Sequence, residues 1–368
     1  MSLTKRPAFL ARTPKRRRFC LARAGAARFS ENIFGMDVLS EVLKVVRLQG
    51  ALFFNGEFSA PWSFRSPRSS LIAPHLAPGS EHMIVYHFLT HGHAYARLDG
   101  QMEELEAGDI VIFPHGDAHQ LGNGSPANPV DSMEMFGPHI NNGLKRVHFG
   151  GGGEVTRFVC GYMACDPRMC EAVLTGLPRL LRVRVSNEPS GKWLENSIRF
   201  SVGEGTKDSA GSGLLVARLS EVLLVETLRC YINSLPPDRT GWLAGARDPL
   251  VGKALSLLHN DPAHPWTVAE LARSAGLSRT RLAERFTHFL GESPIAYLAK
   301  WRLKLGAEML QSTEDSVAEI AEAVGYGSEA AFNRAFKREF DCPPAQFRRD
   351  RRTAPAQGQP SRSQLVHA

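Results

Sequence analysis

Thr267-Val268-Ala269-Glu270-Leu271-Ala272-Arg273-Ser274-Ala275-Gly276-Leu277-Ser278 and Ser316-Val317-Ala318-Glu319-Ile320-Ala321-Glu322-Ala323-Val324-Gly325-Tyr326-Gly327-Ser328 are two copies of one pattern, about fifty residues apart. In each, Ser or Thr stands at a helix start with Glu three residues on, the spacing of a capping box (Thr267 with Glu270, Ser316 with Glu319). Ala272 and Ala321 are small where two helices would cross closely, and Gly276 and Gly325 stand where a tight turn favours positive φ. Ser278 and Ser328 can cap a second helix. In that helix Leu282 and Phe286, or Phe332 and Phe336, lie four residues apart, which buries one face and leaves the other free. After a one-residue slip in the turn, Pro294 and Tyr297 align with Pro344 and Phe347. One copy would be weak evidence, since any small helical domain has capped amphipathic helices. Two copies in register specify a pair of helix-turn-helix units.

The segment from about 248 to 349 resembles the DNA-binding domain of the AraC/XylS transcription regulators. The resemblance is carried by Ala321-Glu322-Ala323-Val324-Gly325-Tyr326, Ser328, Phe332, Arg334, Phe336-Lys337 and Pro343-Pro344-Ala345-Gln346-Phe347-Arg348. It implies two units joined by a long helix, which Ile295 to Gln311 can supply with Leu298, Trp301, Leu305 and Leu310 on the buried side. Seventeen helical residues span about 25 Å. That length suits two recognition helices about 34 Å apart, in successive major grooves. The resemblance also implies the readers: Thr280, Arg281, Ala283 and Glu284 after the cap Ser278, and Glu329, Ala330, Asn333 and Arg334 after the cap Ser328. Arg can grip guanine and Asn can pair with adenine. Arg285, Lys337, Arg338, Arg348 and Arg349 are expected on phosphates. Thr280, Ala283 and Glu284 are weak readers, so the first helix is expected to position more than it specifies.

Bulk charge does not carry the argument. The 368 residues have a net charge of +7, but residues 1–35 alone hold nine Lys/Arg and one acid. Residues 248–355 hold fifteen basic and fourteen acidic residues. The basic head can be read as a nucleic-acid arm, as a twin-Arg export signal at Arg16-Arg17-Arg18-Phe19-Cys20-Leu21, or as a stretch ahead of a true start at Met36. Arg23 and Arg28 break the apolar core that export needs, so a mis-set start or a disordered tail is the favoured reading. No apolar run approaches a membrane span, and no membrane partner is expected.

From Leu52 to Val183 the pattern changes to short β-like runs broken by Gly and Pro. Gly108 to Asn123 has the spacing of the second cupin motif: Gly, five residues, Pro-x-Gly, two residues, His, three residues, Asn. Pro78-Gly79 to Gly92 resembles the region of the first motif. With Arg47-Leu48-Gln49-Gly50-Ala51, Ala60-Pro61-Trp62 and Leu177-Pro178, the segment resembles the cupin-type sensor of a subgroup of AraC-like regulators. The fold class expected is α+β multidomain: an N-terminal cupin-like β-barrel, then an all-α domain with two helix-turn-helix units. Seven of the thirteen His (His75, His82, His87, His91, His93, His115, His119) fall between 75 and 119. Converging neutral imidazoles suit iron, nickel, copper or zinc. The first motif departs from the metal-binding pattern, however, with Val85 at the Glu position and no His-x-His before it. No cofactor is therefore expected. His87 and His119 remain possible metal ligands, and His87, His91, His115 and His119 are candidates to line an effector pocket.

The six cysteines show no secreted disulfide framework, which suits a reducing cytosol. Cys160, Cys165 and Cys170 are redox candidates, although on a single helix their five-residue steps would not share a face. Gly203 to Gly213 reads as a flexible loop. Leu214 to Asn233 reads as an apolar helix, with Leu215, Leu219, Val222, Leu223, Glu226 and Cys230 along one side. It is expected to dimerise; the plainer alternative is that it packs on the barrel. The organisation expected is a basic tail 1–35, a sensor 36–200, a loop, dimerisation helix and linker 201–247, a DNA-binding domain 248–352 and a tail 353–368. The function expected is a cytoplasmic, non-enzymatic, sequence-specific transcription regulator, an activator by preference. Its partners would be double-stranded promoter DNA, RNA polymerase, a small-molecule effector and a second copy of itself. The alternatives are a metal-dependent cupin enzyme fused to a DNA-binding module, and a thiol redox regulator. No nucleophile triad, phosphate loop or paired catalytic carboxylates stand out.

Overall fold

The structure, a computed structural model, describes residues 38–353 apart from 47, 79, 81, 125–127, 140–145, 186–188 and 203–211. The basic head, the stretch 203–211 and the tail from 354 lie outside the described residues. Helix α1 (Val38–Val46) buries Val38, Leu39, Val42 and Val46 at helical spacing. Then come β1 (Gln49–Ser59), β2 (Trp62–Ser66), α2 (Ser69–Leu76), β3 (His82–His91), β4 (His93–Leu98), β5 (Gln101–Glu106), β6 (Asp109–Phe113), β7 (His119–Asn123) and β8 (Val130–Asp131). The half closes with α3 (Ser132–Phe136), β9 (Val147–Gly150), β10 (Val155–Cys165), α4 (Pro167–Leu174), β11 (Leu181–Arg184), α5 (Pro189–Val202) and α6 (Ser212–Ser234).

One sheet has the order β11-β6-β3-β10-β1-β9 and the other β5-β4-β7-β2-β8. The first is covered on both faces, which is why β6 is buried at every residue and reads as an apolar run from Ile110 to Phe113. One face meets the second sheet in a core that includes Phe54, Phe58, Phe64, Phe113, Leu121 and Phe158. The other face carries α6, which packs on β1, β10 and β11. The expected cupin-like β-barrel takes the form of two facing sheets. The ladders stop at short or polar edges: β8 has two residues, β9 has four, and β5 carries Glu103, Glu104 and Glu106.

The segment expected as a plain linker contains a further helix, α7 (Trp242–Arg247), with Trp242 and Leu243 buried. The rest is helical: α8 (Pro249–Asn260), α9 (Val268–Ala275), α10 (Arg279–Leu290), α11 (Pro294–Ser312), α12 (Val317–Ala323), α13 (Glu329–Phe340) and α14 (Pro344–Thr353). Leu271, Leu282 and Phe286 in the first unit, and Ile320, Phe332 and Phe336 in the second, are fully buried. Gly276 has φ +81° and Gly325 has φ +87°, as the turn argument requires. A single hydrophobic cluster runs from Val38 in α1, past Leu219 and Leu223 in α6, to Phe347 in α14.

Candidate nucleic-acid interface

The second helix of each unit is held from behind and capped in front. Ser278 accepts from the Arg281 amide at the start of α10, and Ser328 from the Ala331 amide at the start of α13, both at 3.3 Å. The two capping boxes differ. Ser316 and Glu319 exchange both bonds, at 3.2 and 2.8 Å. Thr267 accepts from the Glu270 amide at 3.1 Å, but the Glu270 carboxylate turns to His264 Nε2 at 2.9 Å, so the first box is half complete. Spacing could not show this, because the competitor lies outside the motif.

With Leu282, Phe286, Phe332 and Phe336 buried, the opposite faces are left to solvent. Thr280, Arg281 and Glu284 are exposed on α10 and Ala283 is half-buried; on α13 Glu329, Ala330, Arg334, Lys337 and Arg338 are exposed and Asn333 is half-buried. Asn333 Nδ2 donates to Glu329 Oε1 at 3.4 Å. The side chains of Arg281 and Arg334 make no hydrogen bond or ion pair among the described residues. Arg279, exposed at the first position of α10, is a further cation without a partner among the described residues, and the sequence reading missed it.

Two arginines expected on phosphates are engaged elsewhere. Arg285 forms a two-pronged pair with Asp248, at 3.0 and 2.5 Å. Asp248 is itself buried and caps α8 through the Leu250 and Val251 amides. Burial works to raise the Asp248 carboxyl, and Arg285 with the two amides outweighs it, holding it below its ordinary value. Arg348 donates to the backbone carbonyls of Leu310 and Asp315, at 3.2 and 2.6 Å. Both guanidiniums tie helices together. Leu305, expected on the buried side of the joining helix α11, is only half-buried, and Leu303 is buried instead.

The four candidate histidines of the first half do not meet in one place. His91 and His115 are exposed, and His115 Nε2 donates to the Leu177 carbonyl at 3.2 Å. His87 on β3 and His119 on β7 do meet, Nε2 to Nε2 at 2.8 Å, between the two sheets. His87 Nδ1 lies 2.9 Å from the Cys160 thiol, its partner across the β3–β10 ladder. The Asp117 carbonyl, 2.8 Å from His119 Nδ1, can only accept, so that nitrogen carries the proton. His119 Nε2 then accepts from His87 Nε2, and His87 Nδ1 accepts from the Cys160 thiol. The chain is satisfied with every member neutral. Burial drives His119 down to about 4 against the pull of Asp117. Burial, with His119 alongside, drives His87 well below its ordinary value, and burial drives Cys160 up.

His119 and Cys160 sit on opposite nitrogens of His87, so the three cannot converge. Among the described residues, no group of three or more His, Cys, Asp or Glu is placed to hold a metal ion. The cysteines are not on one helix: Cys160 and Cys165 are on β10 and Cys170 is on α4. All three are buried. The hydrogen bond from Cys165, with burial, raises the Cys170 thiol, and protonated thiols are poor nucleophiles.

Residues 37–233 match the family described as "Cupin" and residues 271–350 the family described as "Helix-turn-helix domain". The chain is 31% identical over 318 residues to an AraC-like transcription regulator of Streptomyces lividans, covering 85% of this chain and 98% of that one. It is 28% identical to the HTH-type transcriptional regulator AlkR of Acinetobacter baylyi, covering 85% and 99% of the two chains. It is 29% identical to the RCS-specific HTH-type transcriptional activator RclR of Escherichia coli, covering 87% and 100%. With a cupin half, a paired helix-turn-helix half and relatives matched along nearly their whole length, the chain belongs to the AraC-like transcription regulators.

Proposed function

We propose that the protein reads promoter DNA with α10 and α13 in successive major grooves, under the control of a small-molecule effector. The observation that carries this reading is the contrast among the arginines. Arg281 and Arg334 stand unengaged on the exposed faces of the capped second helices, while Arg285 and Arg348 of the same units are tied inward. Arg334 and Asn333 are the base readers of α13, beside Glu329 and Ala330. Lys337 and Arg338, exposed one turn later, contact phosphate. On α10, Arg281 is the strongest reader and Thr280, Ala283 and Glu284 position the helix. The name of the Escherichia coli relative supports activation, and with it contact with RNA polymerase. Reading a promoter places the protein in the cytoplasm.

The sealed, neutral His87–His119–Cys160 chain supports a regulator without catalysis or resident metal. A second copy is expected on the pair α5 and α6. Trp193, Phe200, Leu214, Leu215 and Val222 are large, apolar and exposed there. The test is binding to the DNA upstream of the gene, titrated against salt, with Arg334→Ala beside the wild type. The substitution is expected to cost about 1–3 kcal/mol, concentrated at one base pair. Binding that is only non-specific, and indifferent to Arg334→Ala, would overturn the reading.

A further inference from the structure

A candidate ligand cleft lies away from the histidines. A cleft of about 470 Å³ opens where α1 and α4 of the first half meet α11 of the second, with residues 239–242 closing one side. That volume is within the usual range for small-molecule sites, roughly 300–1,000 Å³. Part of its wall is apolar and aromatic, with Val42, Met169, Trp242 and Trp301 among the residues there. The indole N–H of Trp301 is buried and has no hydrogen-bond partner among the described residues.

The decisive residue is Lys304. Its side chain is only 12% exposed, yet its ammonium makes no hydrogen bond among the described residues. Its single ion pair is a loose one, 3.7 Å from the Glu171 carboxylate, which is itself mostly in water. A nearly buried ammonium with three unused donors is costly unless an anion meets it. Lys300, one turn earlier on the same helix, and Arg239 add positive charge at the cleft, while Glu171 and Glu292 offset part of it. The balance suits a singly charged head and disfavours a dianion. The aromatic walls require an apolar body behind that head.

We propose that this cleft is the effector site and that it takes a small organic carboxylate, its head on Lys304 and its aromatic or aliphatic body against Trp242, Trp301 and Met169. The proposal rests on the regulatory reading above and names its ligand class. A carboxylate bound here would touch both halves at once, so it would favour one arrangement of sensor against reader by its difference in affinity for the two. Its grip on α11 falls on the helix that spaces the two DNA-reading units.

The test uses the full chain with 1-naphthoate and its uncharged counterpart 1-naphthalenemethanol, followed by calorimetry. Naphthoate is expected to bind one per chain, at least ten-fold tighter than the alcohol, and Lys304→Met to remove that preference, with a cooperative thermal transition showing the variant folded. Ala172→Phe fills the cleft from the other wall and is expected to abolish naphthoate binding, which keeps the test open if Lys304→Met fails to fold. Equal affinity for the two probes, or naphthoate binding that survives both substitutions, would overturn the site. Sequence-specific DNA binding, read on the same preparations without naphthoate, separates the two ideas. Its absence alongside Lys304-dependent naphthoate binding would sink the regulatory reading and leave the site standing.

Discussion

At the scale of single residues, His119 is where folding and pH meet. Buried between the sheets, it titrates at about 4 instead of its ordinary 6.5. The unfolded chain therefore takes up a proton, as pH falls through about 6.5, that the folded chain refuses. The stability that neutral His119 contributes is complete above about 6.5 and lost as pH falls toward 4, an effect on the order of 3 kcal/mol. His87 acts in the same direction. Urea unfolding at pH 7.5 and pH 5 is expected to show a lower midpoint at pH 5, and His119→Gln to shrink that difference. An undiminished difference in the variant would mean that His119 is not held neutral. The position of His119 is legible in the sequence because the cupin spacing fixes it relative to Pro114 and Gly116. Its bond to His87 and the link from His87 to Cys160 are not, because they depend on the β3–β10 register and on a contact between two sheets. No local pattern encodes either.

Among the elements, the paired helix-turn-helix units are the most legible, because each of their signals is local: a cap, a small residue, a glycine, an i, i+4 stripe. What escapes is the use made of particular charges. Arg285 lies on α10 at a position that reads as a DNA contact, and only the approach of α8 shows that its partner is Asp248. Arg285→Met would strand a carboxylate that is 6% exposed. Since the guanidinium itself is 39% exposed, the cost is expected to be moderate, about 1–3 kcal/mol in thermal or urea unfolding, with the salt dependence of DNA binding unchanged. Lys337→Ala should do the reverse, leaving unfolding unaffected and lowering the salt slope by about 1. If Arg285→Met lowers the slope as well, the side chain leaves Asp248 for phosphate when DNA binds. Helix α7 escapes for a related reason: six residues behind Gly241 are too few to show a period, and they are helical because Trp242 and Leu243 find a core to enter.

For the molecule as a whole, the two faces of α6 divide the labour. Leu219 and Leu223 pack into the main core, while Leu215 and Val222, seven residues apart and so on one side, remain exposed with Trp193 and Phe200 of α5. Sedimentation is expected to show a dimer that Leu215→Glu with Val222→Glu converts to a folded monomer; a dimer unmoved by that pair would place the contact elsewhere. The sequence reveals that α6 is more apolar than one face needs, but not which side meets the sheet, since that is decided by the packing of β1, β10 and β11. The same holds for the single core that runs from α1 to α14. The sensor and the reader look along the chain like separable modules, yet α1, at one end of the described chain, packs on α8 and α11 near the other. A lineage that exchanged its sensor by recombination at the linker would leave those two helices facing a stranger, so in this group signal input and promoter output are expected to have been inherited together.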